Sequence, residues 1–557
     1  MIKPVHKKIF YLLLLVCCAC AIAYGMFSDA PLSRRPTETE QIDFALKYGS
    51  WDFNPHHFMH PPFFSYILFF VYGASFFIGM LLRVFNTLGD FHLFFYTNPL
   101  FFYILARITV LVMALCSLIL VYKIAKMLFK KEAIAFLSAL FLAALPVFII
   151  ASHYAAGDLP LLFMSLAAFY FIAKVFLAGA TTDYFLAGIF TGLAIATKYN
   201  AGILVCGLVY ACISSGRPLK KEVKKVLLGL LSVAAGFIIG CPFALLDYRS
   251  FSSGLARTFQ RSRLDSYNFL SWKADKLGWI YIWTNTFPFA MGALFTFLAA
   301  ASIIISLLKR DKRINILLAI IIPYILYTGT WTMIKPRYFL HIAPFMCMVS
   351  AFVVYGFMNK IVYNRRAFVA AILFLLVIFA PNVYAIMRFD RSIGTEPVYV
   401  SAKKWIESNV AIDEKIAVSE NVCLMPNENS IDRQMDEIRR KNIGEGVALK
   451  DMRNYLWAIG RKYDVYALPL PWMENFDSQD FDFNALRRLG IRYFVIADEF
   501  DEYMKNPSRY KLQCDFLGDV KNKGTLLKEF KKIKPQMEPE LSGGAYEYVQ
   551  IYRFAKQ

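Results

Sequence analysis

Apolar runs close to the length of a membrane span follow one another from residue 9 to residue 387 and then stop. Crossing the hydrocarbon core takes about 20 apolar residues. The runs predict spans over 9–28, 100–124, 134–151, 159–178, 184–198, 200–215, 226–246, 280–307, 314–330, 338–358 and 367–387. Beyond Arg388 the pattern shortens. Helical periodicity covers 400–408 and 484–489, and strand-like runs lie near 415–419, 464–468, 491–497 and 546–554, which together read as a small α/β domain. The fold class expected is an all-α polytopic membrane bundle of about 11 transmembrane helices (1–387) with a C-terminal α/β soluble domain (388–557).

Composition agrees. Hydrophobic residues make up 58% and charged residues 18%, against about 25% charged in soluble domains. The net charge of +20 becomes informative when divided along the chain. The tail from Arg388 holds 27 basic and 27 acidic residues, so the first 387 hold 34 and 14. Those bases sit at the ends of apolar runs rather than on a folded basic patch, which excludes nucleic-acid binding.

Basic residues favour the cytoplasmic ends of spans. Placing the clusters Lys3/Lys7/Lys8, Lys123–Lys131, Lys174, Arg217–Lys225, Lys309–Arg313 and Lys360–Arg366 inside gives 20 bases against the four acids Glu132, Asp183, Glu222 and Asp311. The other side then holds 14 bases and 10 acids. An odd number of spans puts the N-terminus in the cytoplasm and the tail outside, as expected of a multi-pass protein of the plasma (inner) membrane. Residues 63–85 are long enough to span, but counting them would invert every later cluster. Parity makes them a juxtamembrane or re-entrant helical element within a first outer loop (29–99). Most cysteines lie in apolar runs and read as small hydrophobes; Cys423 and Cys514 share the tail and could pair.

Ionisable groups at the outer ends of spans are costly and therefore informative. The first outer loop carries Glu38, Glu40, Asp52, His56, His57 and His60. The turn Ser152-His153-Tyr154-Ala155-Ala156-Gly157-Asp158 carries another carboxylate. Arg107 lies near the outer end of the second span, Lys198-Tyr199-Asn200 forms a tight outer turn, and Lys335-Pro336-Arg337-Tyr338 opens the tenth span. Two carboxylate sites and three cations on one membrane face suit transfer of a sugar from a phosphate-linked lipid. A carboxylate can take the proton of an attacking hydroxyl, and Arg and Lys can neutralise the departing phosphate. The histidines, His56-His57-Phe58-Met59-His60, lack the His-Glu-x-x-His signature of a zinc protease.

These residues resemble the GT-C phospholipid-carrier-dependent glycosyltransferases of the protein O-mannosyltransferase and aminoarabinose-transferase superfamily (glycosyltransferase family 39-like). The matching elements are Pro36-Thr37-Glu38, then Ala45-Leu46, Gly49, Asn54-Pro55, Phe58 and Pro61-Pro62. Leu105-Ala106-Arg107, the turn ending at Asp158, residues 192–201 and residues 335–345 follow in family order. The resemblance implies an extracytoplasmic site, a polyprenyl-phosphate sugar donor held in membrane lipid, and inverting transfer to a hydroxyl acceptor on protein, lipid or glycan. By resemblance, Glu38 is the favoured base with Glu40 as substitute, and Asp158 is a second catalytic carboxylate. Lys198, Arg337, Tyr338 and Arg107 are expected to hold the donor phosphate, and Tyr199, His60 and His153 to line the acceptor pocket. No metal ligands are assigned, and use of a divalent cation (Mg or Mn) stays open. One departure matters: where the family has Asp-Glu, this chain has Thr37-Glu38. A catalytically degenerate member that binds lipid-linked glycan is the alternative, and a lipid-linked glycan transporter a third.

Overall fold

The computed structural model describes residues 4–24, 26, 36–263, 277–331, 334–361, 365–419, 422, 424–441, 453, 461–468, 481–504, 507, 508, 510–533 and 546–555. The apolar runs fold as helices because hydrocarbon offers the backbone no hydrogen-bond partner, so peptide groups must be satisfied within each segment. In chain order these are α1 (Pro4–Ala23), α2 (Pro36–Lys47), α3 (Phe63–Leu81), α4 (Leu88–Thr97), α5 (Pro99–Phe129), α6 (Glu132–Ala143), α7 (Pro146–Ser152), α8 (Asp158–Leu177), α9 (Thr181–Ile195), α10 (Leu204–Ser214), α11 (Leu219–Gly240), α12 (Phe243–Leu246), α13 (Tyr248–Arg263), α14 (Gly278–Tyr281), α15 (Phe287–Met291), α16 (Ala293–Lys309), α17 (Lys312–Thr328), α18 (Ala343–Ile361) and α19 (Arg365–Ile393). Outward-facing Phe70, Leu231, Phe297 and Val377 leave apolar stripes on the bundle surface, as a lipid-facing protein requires.

The expected spans do not all form unbroken helices. Among the described residues, five helices are long and apolar enough to cross a bilayer, and the bent pair α6–α7 would make a sixth. The run 134–151 bends by 64° between those two helices. Pro146 is the cause, since it lacks an N–H and pushes Leu145 into extended backbone (φ −83°, ψ 126°). The run 280–307 is likewise interrupted, by Gly292 at φ +83°, a left-handed conformation that favours glycine. Residues 63–85 contain one continuous helix, α3, rather than several short ones. Its first amide, Phe63 N, donates to Ala196 O at 3.1 Å, at the end of α9. Beyond its other end Phe85 packs on Phe91 of α4, which packs on Phe102 in the first turn of α5. Phe63–Leu81 is itself one of the five helices long and apolar enough to cross a bilayer.

Helices α9 and α11 approach closely through glycine. A Cβ on Gly192 would stand 2.2 Å from Val233 O, so only a hydrogen fits there. Small residues that admit a neighbouring backbone are a standard device of membrane helix packing. Asn382, buried in α19, joins the two helix breaks: its Nδ2 donates to Ala144 O at 3.1 Å and to Met291 O at 2.7 Å.

The tail forms a five-stranded sheet in the order β2-β1-β3-β5-β4, from β1 (Lys415–Ser419), β2 (Asp464–Leu468), β3 (Ile491–Ala497), β4 (Thr525–Ile533) and β5 (Tyr546–Arg553). The first three are parallel, and β5 and β4 are added antiparallel. Alternation along β3 sends Tyr493, Val495 and Ala497 to a core with the helix Val398–Asn409, and Phe494 and Ile496 to a core with the helix Lys511–Lys523. Strand β4 was not expected from the sequence. Its Lys528, Lys531 and Lys532 disguise an edge strand, which charges commonly protect from further pairing. Cys423 lies outside the described residues, so the proposed pairing with Cys514 does too.

Replacing Asn382 with Leu keeps the volume but removes both donated hydrogen bonds. Leaving a buried acceptor unsatisfied costs about 1–3 kcal/mol, so the thermal midpoint in detergent is expected to fall, and an unchanged midpoint would remove Asn382 from this role.

Candidate functional site

The chemistry-bearing residues gather where α2, α5, α8, α9 and the turn before α18 meet. Helix α2 begins with Pro36 and carries Glu38 in its first turn, both favourable at a helix N-terminus. Its inward face, Glu38, Gln41, Ile42 and Ala45, is buried and repeats at helical spacing. Glu38 receives Arg107 as a two-pronged pair, Nε to Oε1 at 2.8 Å and Nη2 to Oε2 at 2.9 Å. Ala155 N also donates to Glu38 Oε1, at 2.9 Å. The remaining Arg107 prong, Nη1, donates to Met26 O, and the guanidinium lies 5.3 Å from the Tyr154 ring centroid. Both side chains are fully buried.

This arrangement corrects two expectations. Glu38 has its carboxylate oxygens filled by Arg107 and Ala155 and no solvent access, so it cannot take a proton from an incoming hydroxyl. Arg107 spends its guanidinium on Glu38 and Met26 and cannot bind a donor phosphate. Both groups hold the site together instead.

Three residues beyond Ala155, Asp158 opens α8. Its Oδ1 accepts from Lys198 Nζ at 2.5 Å. Lys198 lies between α9 and the short turn Tyr199–Ile203, and its side chain keeps 18% accessibility while Asp158 keeps 7%. The ammonium is 5.9 Å from the Tyr338 ring, which brings in the turn Pro336–Phe339 with the half-buried Arg337. Below these, Tyr324 OH donates to Tyr338 O at 2.7 Å and is hydrogen-bonded to Asn200 Nδ2 at 3.2 Å. The buried His341 ring stands edge-on to Tyr324 at 4.5 Å. Contacts therefore run continuously from Arg107 through Glu38, the 155–158 turn and Lys198 to Tyr338. Tyr324 had no distinguishing sequence signal, whereas Asn200 and His341 lie in segments the sequence had marked without a role of their own.

The expected pocket residues are placed differently. Tyr199 OH donates to Phe58 O at 2.8 Å, tethering the loop between α2 and α3. His153 is buried, with Nδ1 2.8 Å from Ile149 O, Nε2 3.2 Å from Tyr24 O and Asp390 Oδ1 at 3.8 Å. It links the 152–158 turn to the end of α19. His60 is half-buried in the same loop, and Glu40 is half-buried on α2. Nearby, His56 Nε2 and Asp52 Oδ2 are 2.9 Å apart, and Asn54 Nδ2 donates to Asp247 Oδ2 at 2.9 Å. The Asn54 hydrogen bond is the main reason the Asp247 carboxyl sits below its ordinary value. For Asp52, desolvation pushes upward, but hydrogen bonds from His56 and Asn54 outweigh it and hold the carboxyl low. Among the described residues no three His, Cys, Asp or Glu side chains form a metal-binding group.

The fold is a long apolar helical bundle followed by a small C-terminal sheet domain. The match to the oligosaccharyltransferase of Archaeoglobus fulgidus in its apo form has a TM-score of 0.51 at 12% identity, covering 94% of this chain and 74% of that one. ArnT of Cupriavidus metallidurans bound to undecaprenyl phosphate matches at 0.49 and 13% identity, over 97% and 98% of the two chains. The Pmt1–Pmt2 O-mannosyltransferase complex of S. cerevisiae matches at 0.32 and 19% identity, over 45% and 35%. Residues 101–239 match the family model described as dolichyl-phosphate-mannose-protein mannosyltransferase. No curated protein matches the chain. The fold is shared with that oligosaccharyltransferase, and the partial family match over 101–239 agrees with the resemblance to GT-C glycosyltransferases expected from the sequence.

Breaking a buried ion pair strands the remaining charge and costs about 3–5 kcal/mol. Glu38→Leu and Arg107→Met are each expected to lower stability by that order in detergent unfolding, and the double variant by much less than their sum. Additive losses would show that the two side chains are not coupled.

Proposed function

We propose that this protein transfers a sugar from a polyprenyl-phosphate donor to a hydroxyl acceptor on the extracytoplasmic face, with inversion at the anomeric carbon. The observation that carries the reading is the Lys198 ammonium. It is partly accessible, fixed by Asp158 and flanked by Tyr338 beside Arg337. An ammonium has three N–H donors, and only one is used on Asp158. The others can face a phosphate as its bond to the sugar breaks, which is where charge develops and where fixed donors help most. Asp158 then positions Lys198 rather than reacting itself, and Arg337 adds a second cation. The family matched over 101–239 is described by a dolichyl-phosphate donor, the same chemical class.

The soluble domain joins the bundle through the end of α19, where Lys532 Nζ of β4 donates to Ser392 O at 2.5 Å. We assign it to covering the site or selecting the acceptor. Because Glu38 is closed and Thr37 stands where relatives of this type have Asp, a carrier-binding subunit without turnover is the competing reading.

Purified protein with radiolabelled polyprenyl-phosphate sugars is expected to transfer label to a hydroxyl acceptor. Lys198→Met should slow transfer by about 100-fold or more, the scale of losing one donor to transition-state charge, with Lys198→Arg restoring part. Carrier binding without transfer by the unsubstituted protein would favour the subunit reading.

A further inference from the structure

Helix α13 presents a surface that sugar transfer at Lys198 does not use. Four arginines, Arg249, Arg257, Arg261 and Arg263, lie within Tyr248–Arg263 with no acidic residue among them. They are the whole basic excess of the side expected to be extracytoplasmic, which otherwise holds 10 bases and 10 acids. Bases are normally sparse on that side of a membrane protein, so four on one helix call for a reason.

The helix is firmly seated. Asn54 Nδ2 donates to Asp247 Oδ2 at 2.9 Å, and Asp247 Oδ1 accepts from Ser250 N at 3.2 Å, closing the turn that starts α13. Phe251 stands edge-on to Phe58 with ring centroids 5.7 Å apart. Thr258 Oγ1 donates to Met59 O at 3.1 Å. A Cβ on Gly254 would come within 2.9 Å of Phe58, so glycine is what lets helix and loop meet. The protein thus takes the side of α13 that carries Phe251, Gly254 and Thr258. Helical spacing turns Arg249, Ser253, Ala256 and Gln260 to the opposite side, with Arg257 next to them, and all five are exposed. Among the described residues neither Arg249 nor Arg257 has an ion-pair partner.

Beside the arginines the exposed surface is apolar. Ile239 near the end of α11, Leu245 and Leu246 of α12, and Tyr248 and Phe259 of α13 all face outward. They continue the apolar stripe of α11 to which Leu231 belongs. Tyr248 and Phe259 share one flank of α13, about 80–100° round the axis from Arg249. A seam where lipid-facing side chains give way to unpaired cations is the position of the phospholipid headgroups.

We propose that α12 and α13 form a docking surface for anionic phospholipid, with Arg249 and Arg257 each taking a headgroup phosphate and the acyl chains lying along Leu245, Leu246 and Ile239. Guanidinium meets phosphate through paired N–H donors, and a zwitterionic headgroup, which brings its own cation, gains less. The two arginines are eight residues apart, about 12 Å of helix rise, too far to share the single phosphate of one carrier lipid but suited to neighbouring headgroups. Because α13 is fixed to the loop that also receives Tyr199 OH on Phe58 O, lipid bound here holds the Lys198 turn at headgroup level. The inference needs the bundle to lie in a bilayer but not the transfer reaction, so the two stand or fall separately.

The test titrates the full-length protein in detergent with phosphatidylglycerol or phosphatidylcholine and counts bound lipid by native mass spectrometry. The unsubstituted protein is expected to bind phosphatidylglycerol more tightly. Arg249→Gln and Arg257→Gln are each expected to weaken that binding by about fivefold, the usual share of one basic side chain at an anionic surface. Phosphatidylcholine binding and the lipid-free thermal midpoint stay unchanged, because both side chains are exposed. Equal binding of the two lipids by the unsubstituted protein, or undiminished phosphatidylglycerol binding by the double variant, overturns the proposal. So does displacement of phosphatidylglycerol by an equal amount of polyprenyl phosphate with both lost in the double variant, since the arginines would then belong to the carrier's own site.

Discussion

The site depends on one buried ion pair. Glu38 and Arg107 come from segments 69 residues apart, and between them they reach four pieces of chain: α2, α5, the residue Met26 beyond α1, and the turn at Ala155. Taking two charges out of water costs several kcal/mol per ion, and only good geometry with further hydrogen bonds repays it. Here the guanidinium meets both carboxylate oxygens in parallel, the arrangement that planar Arg is built for, and the spare prong and lone pair find backbone partners. The pair therefore fixes geometry more than it adds net stability. With Glu38 held, the amide of Ala155 is held, and Asp158 three residues later can meet Lys198 at a set position.

Polar backbone at the end of a membrane bundle has to be justified in the same way, because hydrocarbon satisfies nothing. The break at Leu145–Pro146 frees carbonyls that an unbroken helix would have used, and the break at Gly292 does likewise. Asn382 answers both with a single amide. Bending α6 away from α7 is what brings Ser152–Asp158 round to α2 and α9. An unbroken helix over 134–151 would have had the same hydropathy and none of this reach.

That contrast explains what could be read from the chain in advance. Hydropathy and charge located the helical region, the soluble sheet and the outer loops, since each leaves a periodic or one-sided signal. Residue order also singled out Glu38, Arg107, Asp158, Lys198 and Tyr338, which the structure places in one connected set of contacts. Their individual duties were not legible. Whether Glu38 or Asp43 faces Arg107 is set by how α2 is rotated against α5, and polar positions on a short helix say little about rotation. Tyr324 and His341 sit among apolar residues of the kind that fill every span, and β4 carries too many lysines to read as a strand.

Helix α2 finally shows how one short segment can hold carboxylates in opposed states. Glu38 and Asp43 are separated by five residues, hence by about 140° around the axis, so they cannot share an environment. One is closed, paired and surrounded; the other is accessible, unpaired and made reluctant to ionise by burial. Different environments on one short helix thus hold two acids in different states. Glu38 is fixed by Arg107 and the Ala155 amide, the same contacts that set Asp158 opposite Lys198.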